Sequence, residues 1–179
     1  PKISGKYIRE LFRGETGIYE NINRVSRVYY IPLSADIRYT DSKDEIYEGL
    51  KRPDFHPLKM LYLEDKAREE FTADTGVKKS APEISFKQSG LNRIDIKLIS
   101  PEPGYAVIND NYYPGWTAGV NGVKRPVFRA NSTFKAVKVE AGENNIILKF
   151  TPLTVAVSFM ASSAFMLALL IAALLRGFK

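Results

Sequence analysis

The densest chemistry in the chain lies in seven consecutive residues, Asp110-Asn111-Tyr112-Tyr113-Pro114-Gly115-Trp116. Three aromatic rings flank a Pro-Gly turn beside a carboxylate and an amide. Sugars bind by stacking their C–H faces on aromatic rings and by hydrogen-bonding their hydroxyls to Asp and Asn side chains. Asp110, Asn111, Tyr112, Tyr113 and Trp116 are therefore candidate glycan contacts. The competing reading is packing. Trp116 opens a predicted strand and is expected in a core, with Pro114-Gly115 turning the chain. Arg129, near Lys124 and Arg125, offers charge to the same glycan or to a phosphate or lipid headgroup, although a solvated face is the commoner role for such residues.

Other chemistry is sparse. The chain has no cysteine, which excludes disulfides, thiol catalysis and cysteine-ligated zinc. Its one histidine, His56, sits in the turn-like Asp54-Phe55-His56-Pro57. No P-loop, nucleophile elbow or dinucleotide fingerprint is present, so no cofactor and no catalytic residue is expected from this chain. Glu69-Glu70 reads as polar surface, and Asn131-Ser132-Thr133 is a glycosylation sequon in form only. The net charge is +6. Of this, +4 precedes the apolar C-terminal run, because Arg176 and Lys179 are the charges after it. That mixed, mild charge excludes a nucleic-acid groove.

The elements around the cluster follow from periodicity and turn signals. Ser4 and the apolar spacing of Tyr7, Ile8, Leu11 and Phe12 predict a short helix over 4–13. Strands are predicted at 17–21, 27–31 and 59–63. Ser42-Lys43-Asp44-Glu45 has the form of a capping box and predicts a helix that ends before Pro53. Residues 65–82 are polar and predict a short exposed helix and a loop. From 83 to 150 the pattern is all-β, with hairpins expected at Asn121-Gly122 and at Ala141-Gly142-Glu143-Asn144. The fold class is α+β: a small strand–strand–helix–strand lobe (1–64), the polar connection (65–82) and a jelly-roll-like β-sandwich (83–152).

From Leu153 to Leu175 the chain runs 23 residues without a charge. A helix of that length reaches roughly 35 Å, enough for a hydrocarbon core of about 30 Å. This predicts a transmembrane helix (153–175) with a short basic tail (176–179), and a lipid bilayer as partner. Ala164, Ala168 and Ala172 recur every four residues, a spacing that lets helices approach closely. Lys138 and Lys149 before the run balance Arg176 and Lys179 after it, so charge does not set the orientation.

The stretch Ile108-Asn109-Asp110-Asn111-Tyr112-Tyr113-Pro114-Gly115-Trp116, continuing to Asn121-Gly122, resembles the C-terminal extracytoplasmic region of YfhO-like bacterial membrane proteins. Ile18-Tyr19-Glu20-Asn21, Asp54-Phe55-His56-Pro57, Arg129-Ala130-Asn131 and Lys149-Phe150-Thr151-Pro152 are similar too. Asn121 and His56 depart from the family pattern, where aspartate is usual. These proteins are multi-spanning relatives of GT-C glycosyltransferases that use polyprenyl-phosphate sugars. The resemblance implies a piece of a longer polypeptide, as Pro1 in place of methionine also suggests. It further implies an outward-facing domain, a cytoplasmic C-terminus, and packing of the last helix against other transmembrane helices of the parent. The domain would contact a cell-envelope glycan acceptor without supplying the catalytic carboxylate. The alternative is a stand-alone, single-span binding module with no enzymatic activity.

Overall fold

The computed structural model describes residues 8–21, 24–68 and 81–177. In chain order its elements are β1 (Ile8–Arg13), β2 (Gly17–Asn21), β3 (Val28–Pro32), β4 (Asp36–Tyr39), α1 (Lys43–Leu50), β5 (Met60–Leu63) and β6 (Glu83–Gln88). They continue as β7 (Arg93–Ser100), β8 (Gly104–Ile108), β9 (Trp116–Val120), β10 (Val123–Arg125), β11 (Phe128–Ala130), β12 (Phe134–Val139), β13 (Gly142–Phe150) and α2 (Leu153–Gly177). The result is a β-sandwich followed by one long apolar helix, as the sequence predicts. A five-stranded sheet, β10-β9-β13-β7-β6, packs against a six-stranded sheet, β3-β8-β12-β11-β5-β4. The latter takes strands from both the 17–63 unit and the later all-β region, so the two share one sheet.

The six-stranded sheet must be rolled. Pro32 and Asp36 are separated by Leu33-Ser34-Ala35, and four residue steps reach at most about 14 Å. Laid flat, the sheet would put its outer strands β3 and β4 about 24 Å apart. Curling resolves the conflict and closes one face on itself. Tyr29, Ile31, Leu61, Leu63, Tyr105, Val107, Phe128 and Ala136 form a buried core on that inner face, with Ile37 and Tyr39 of β4 packed against it. Across the roll the hydroxyls of Tyr39 and Tyr105 lie 3.3 Å apart. The outer face carries Val28, Tyr30, Ile108, Val137 and Val139, which meet Ile94, Ile96, Leu98, Val120, Ile146 and Leu148 of the second sheet. Further along the same face, Ile46 of α1 packs on Met60 and Tyr62.

Several sequence expectations are corrected. Ile8–Arg13 is a strand, not a helix, and pairs antiparallel with β2; residues 4–7 lie outside the described residues. The apolar spacing there has no core to meet, since Leu11 and Phe12 are each 57% exposed. A helix that short is marginal alone, whereas a hairpin lets Arg9 pair with Glu20 directly across the strands. The segment β4 was not expected. It is short and half charged, and is ordered by parallel pairing to β5. At 65–82, the described part of the expected helix is a single 3-10 turn at Asp65–Ala67. Ala67 is buried, and its carbonyl accepts the Tyr105 hydroxyl at 2.8 Å.

The hairpin at Asn121-Gly122 forms as expected, with φ of 51° and 81° at the two turn residues. The second expected hairpin does not. β12 pairs with β8 and β11, while β13 pairs with β7 and β9 in the other sheet. The chain changes sheets at this corner, held by the buried Asn144 amide, which donates to the carbonyls of Glu140 at 2.8 Å and Gly142 at 3.0 Å. The chain also changes sheets between β10 and β11, with Pro126 in the break.

For α1, the Ser42 hydroxyl accepts from the Glu45 amide at 3.3 Å. The return arm of the capping box is rerouted. The Glu45 carboxylate accepts from Thr40 at 2.8 Å, and the Thr40 hydroxyl in turn accepts from the Ser42 amide at 3.1 Å.

One helix among the described residues is long and apolar enough to cross a membrane: Val157–Arg176, with a mean hydropathy of 2.2 and no part of it buried. Within it the Ser163 hydroxyl bonds back to its own helix, donating to the Phe159 carbonyl at 2.9 Å. Ala164, Ala168 and Ala172 are exposed, as are their larger neighbours. No flexible linker separates α2 from the sandwich. The last rungs of β13 are tied down, the Phe150 amide to Asn92 and the Thr151 amide to Gly115, both at 2.9 Å.

Candidate functional site

The aromatic cluster occupies the β8–β9 connection, at the end of the sandwich where α2 begins. Gly115 has φ of +110°, and a Cβ there would lie 3.0 Å from the Cα of Pro152. The glycine is thus required twice, for its backbone angle and for the close approach to the root of the helix.

The structure divides the seven residues by role. Asp110 is not free for a ligand. Arg27 donates to it through two nitrogens, Nε to Oδ1 at 2.9 Å and Nη2 to Oδ2 at 2.8 Å. Lys135 Nζ lies 3.5 Å from the same Oδ2. Burial pushes the Asp110 carboxyl up, but the hydrogen bond from Arg27 and the charges of Lys135 and Arg27 outweigh it and hold the group below the usual carboxylate range. Lys135 is 1% exposed. Desolvation lowers its pKa, and Asp110 offsets part of that shift. Its ammonium also sits 3.9 Å from the centroid of the Trp116 ring, a cation–π contact. Trp116 packs on the sandwich core and against Phe150, with ring centroids 5.3 Å apart. The packing reading of Trp116 therefore holds, and Asp110 joins it as part of the scaffold.

Tyr112 and Arg129 come together. The Arg129 guanidinium lies 5.2 Å from the Tyr112 ring centroid, and the Tyr112 amide is fixed by the Thr133 carbonyl at 2.6 Å. Arg129 borders a cleft of about 540 Å³ that is also lined by Thr40, Asp41, Lys43, Glu64 and Ser132. Glu64 is positioned by two contacts: it accepts from the Arg129 amide at 2.8 Å and pairs with Lys66 at 3.2 Å. Donors, acceptors and both signs of charge are interspersed beside a stacked aromatic ring. That chemistry suits a neutral, polyhydroxylated ligand better than a polyanion. Asn111 and Tyr113 are exposed on the loop nearby.

A second concavity, about 810 Å³, runs along the β3 edge of the sandwich. Arg24, Tyr30, Phe55, His56, Leu58 and Glu102 are among its lining residues. His56 therefore borders a groove but has no cluster of metal-ligating partners among the described residues. Asn131 of the sequon is buried, only 6% exposed, and its Oδ1 accepts the Tyr62 amide at 3.0 Å. Its carboxamide is committed to holding β5 beside β11.

Sequence reasoning missed Arg27, Lys135 and Glu64. Arg27 is 83 residues from Asp110 and carries no local signal. Lys135 did carry one. Period-two alternation places it on the same face as Val137 and Val139, and a lysine on a core face requires a carboxylate partner.

Fold and site together define a β-sandwich that carries one C-terminal helix long and apolar enough to cross a membrane, and a polar cleft bordered by Arg129. Comparison of the chain with protein-family models, with curated proteins and with solved structures finds no match.

Proposed function

We propose that this chain is the non-catalytic, outward-facing module of a YfhO-like sugar-transferring membrane protein. In this reading it holds a glycan-bearing acceptor in the cleft beside Tyr112 and Arg129, close to the bilayer. The supporting observation is the position of the cleft. Arg129, which lines the cleft, lies over the ring of Tyr112, and Tyr112 stands three residues from Gly115, whose carbonyl accepts the Thr151 amide just before α2. A ligand in the cleft is then held near the membrane surface, where a polyprenyl-phosphate sugar donor resides. The catalytic carboxylate belongs to another part of the parent, and α2 packs through Ala164, Ala168 and Ala172 against the parent's other spans.

The test is sugar transfer from a polyprenyl-phosphate donor into envelope glycan, in membranes carrying the full-length polypeptide. Arg129→Ala with Ser132→Ala is expected to lower transfer while protein level and melting temperature stay unchanged. Unchanged transfer would refute the acceptor role. Protection of the sandwich from protease in intact cells, with digestion in inverted vesicles, would refute the outward orientation.

A further inference from the structure

We infer that the sandwich itself touches the bilayer, through the β6–β7 turn carrying Leu91 and through the Tyr113-Pro114 loop, which flank the root of α2. This rests on α2 spanning the membrane. Leu91 is 90% exposed, the most exposed large apolar side chain among the described residues. It is not on a loose loop. Gly90 supplies φ of +94°, the Ser89 amide donates to the Arg93 carbonyl at 3.0 Å, and the Ser89 hydroxyl donates to Asp95 at 2.7 Å. The turn thus holds a leucine in solvent with nothing in the sandwich to cover it. The carbonyl of the next residue, Asn92, accepts the Phe150 amide at 2.9 Å, three residues before α2 begins.

On the neighbouring strand, the Gly115 carbonyl accepts the Thr151 amide at 2.9 Å, and Tyr113, two residues earlier, is 57% exposed. An apolar tip and an exposed tyrosine therefore stand beside the point where the chain enters the hydrocarbon. Tyrosine is enriched at that depth in membrane proteins. Lys149 faces Arg93 across the β13–β7 ladder, one rung further from the helix, where long basic side chains reach lipid phosphates. A helix alone lets a domain pivot about one point. Contacts on two sides of its root fix the tilt of the sandwich, and with it the height of the cleft above the bilayer.

The chain has no cysteine, so single cysteines can be labelled cleanly. The full chain carrying Leu91→Cys, labelled with an environment-sensitive fluorophore, is reconstituted into phosphatidylcholine vesicles containing lipid spin-labelled near the headgroup. Ile99→Cys is the exposed apolar control; Ile99 is 46% exposed and pairs with Glu143, seven residues along β13 from Phe150. Leu167→Cys reports the span. The expected result is loss of emission at position 91 and none at position 99. Neither residue belongs to the buried core, so neither change opens a cavity there. Retained emission at 91, with position 167 quenched by acyl-chain spin labels, overturns the contact while leaving the anchor intact. Retained emission at 167 under the same labels overturns the span on which the inference rests.

Discussion

Asp110→Asn discriminates most sharply between a ligand contact and a scaffold. The carboxylate is 25% exposed on its side chain, but it is the anion beside Lys135, whose side chain is 1% exposed. Neutralising it leaves that ammonium buried with the Trp116 ring and no carboxylate. Removing one partner of a fully buried pair costs about 3–5 kcal/mol. The partial exposure of Asp110 and of Arg27 brings the expected loss to about 2–3 kcal/mol, a large share of a typical domain stability of about 5–15 kcal/mol. Guanidinium unfolding in detergent micelles measures it. Trp116 is the single tryptophan and lies against Lys135, so its emission follows the sandwich rather than α2.

The companion experiment removes the stranded charge as well. Asp110→Asn with Lys135→Met is expected to return to within about 1 kcal/mol of wild type, because an apolar side chain of similar length needs no counter-ion. Acid titration adds a signed check. The native carboxyl lies below its unfolded value, so its contribution is present above that value, about pH 4, and is lost as pH falls through the lower native one. Asp110→Asn lacks that acid-sensitive increment. A single variant costing less than about 0.5 kcal/mol, or a double variant no better than the single, would refute the clamp and return Asp110 to the ligand surface.

Gly49→Ala in α1 carries opposite predictions from sequence and structure. Helix propensity alone favours alanine by about 1 kcal/mol, but a Cβ there would run into the phenol ring of the buried Tyr62. A loss of about 1–3 kcal/mol by thermal unfolding is expected, and a gain would show that α1 sits further from β5. Asn131→Ala strips the Tyr62 amide of its acceptor and is expected to cost about 1–3 kcal/mol in chemical denaturation. In a host that glycosylates sequons, the intact mass of the wild-type chain should show no glycan at this buried position. Burial pushes the Tyr29 phenol up to about 12, slightly offset by Asn131. The stability it confers is fully present below about pH 10 and is lost between there and about pH 12, some 2–3 kcal/mol in all. Tyr29→Phe should lose less stability across that window, and an identical alkaline limb in the two proteins would sink this assignment.

The sequence was most legible where one local rule had no rival. Asn121-Gly122 accepts two positive φ angles, so the β9–β10 hairpin was readable from the dipeptide. Ser42 and Glu45 marked the start of α1. It was least legible where partners are distant. β4 has four residues and two charges, and becomes a strand through pairing with β5. The segment 8–13 carries a helix-like spacing that pairing with β2 overrides. The corner after β12 looks like a hairpin locally, yet Asn144 ties it as a crossing between sheets.

By itself the sequence determined the all-β character of residues 83–150 and the apolar helix after Pro152. Alternation and an uninterrupted apolar run are local properties, set by burial of side chains one residue at a time. It also marked the Asp110–Trp116 cluster as the place to look. Tertiary structure alone decided what that cluster is. Arg27 arrives just before β3 and Lys135 on β12, and the glutamate that borders the cleft beside Arg129 arrives from just after β5. A buried charge must be met by another charge close in space, and neither composition nor spacing records which distant residue will meet it.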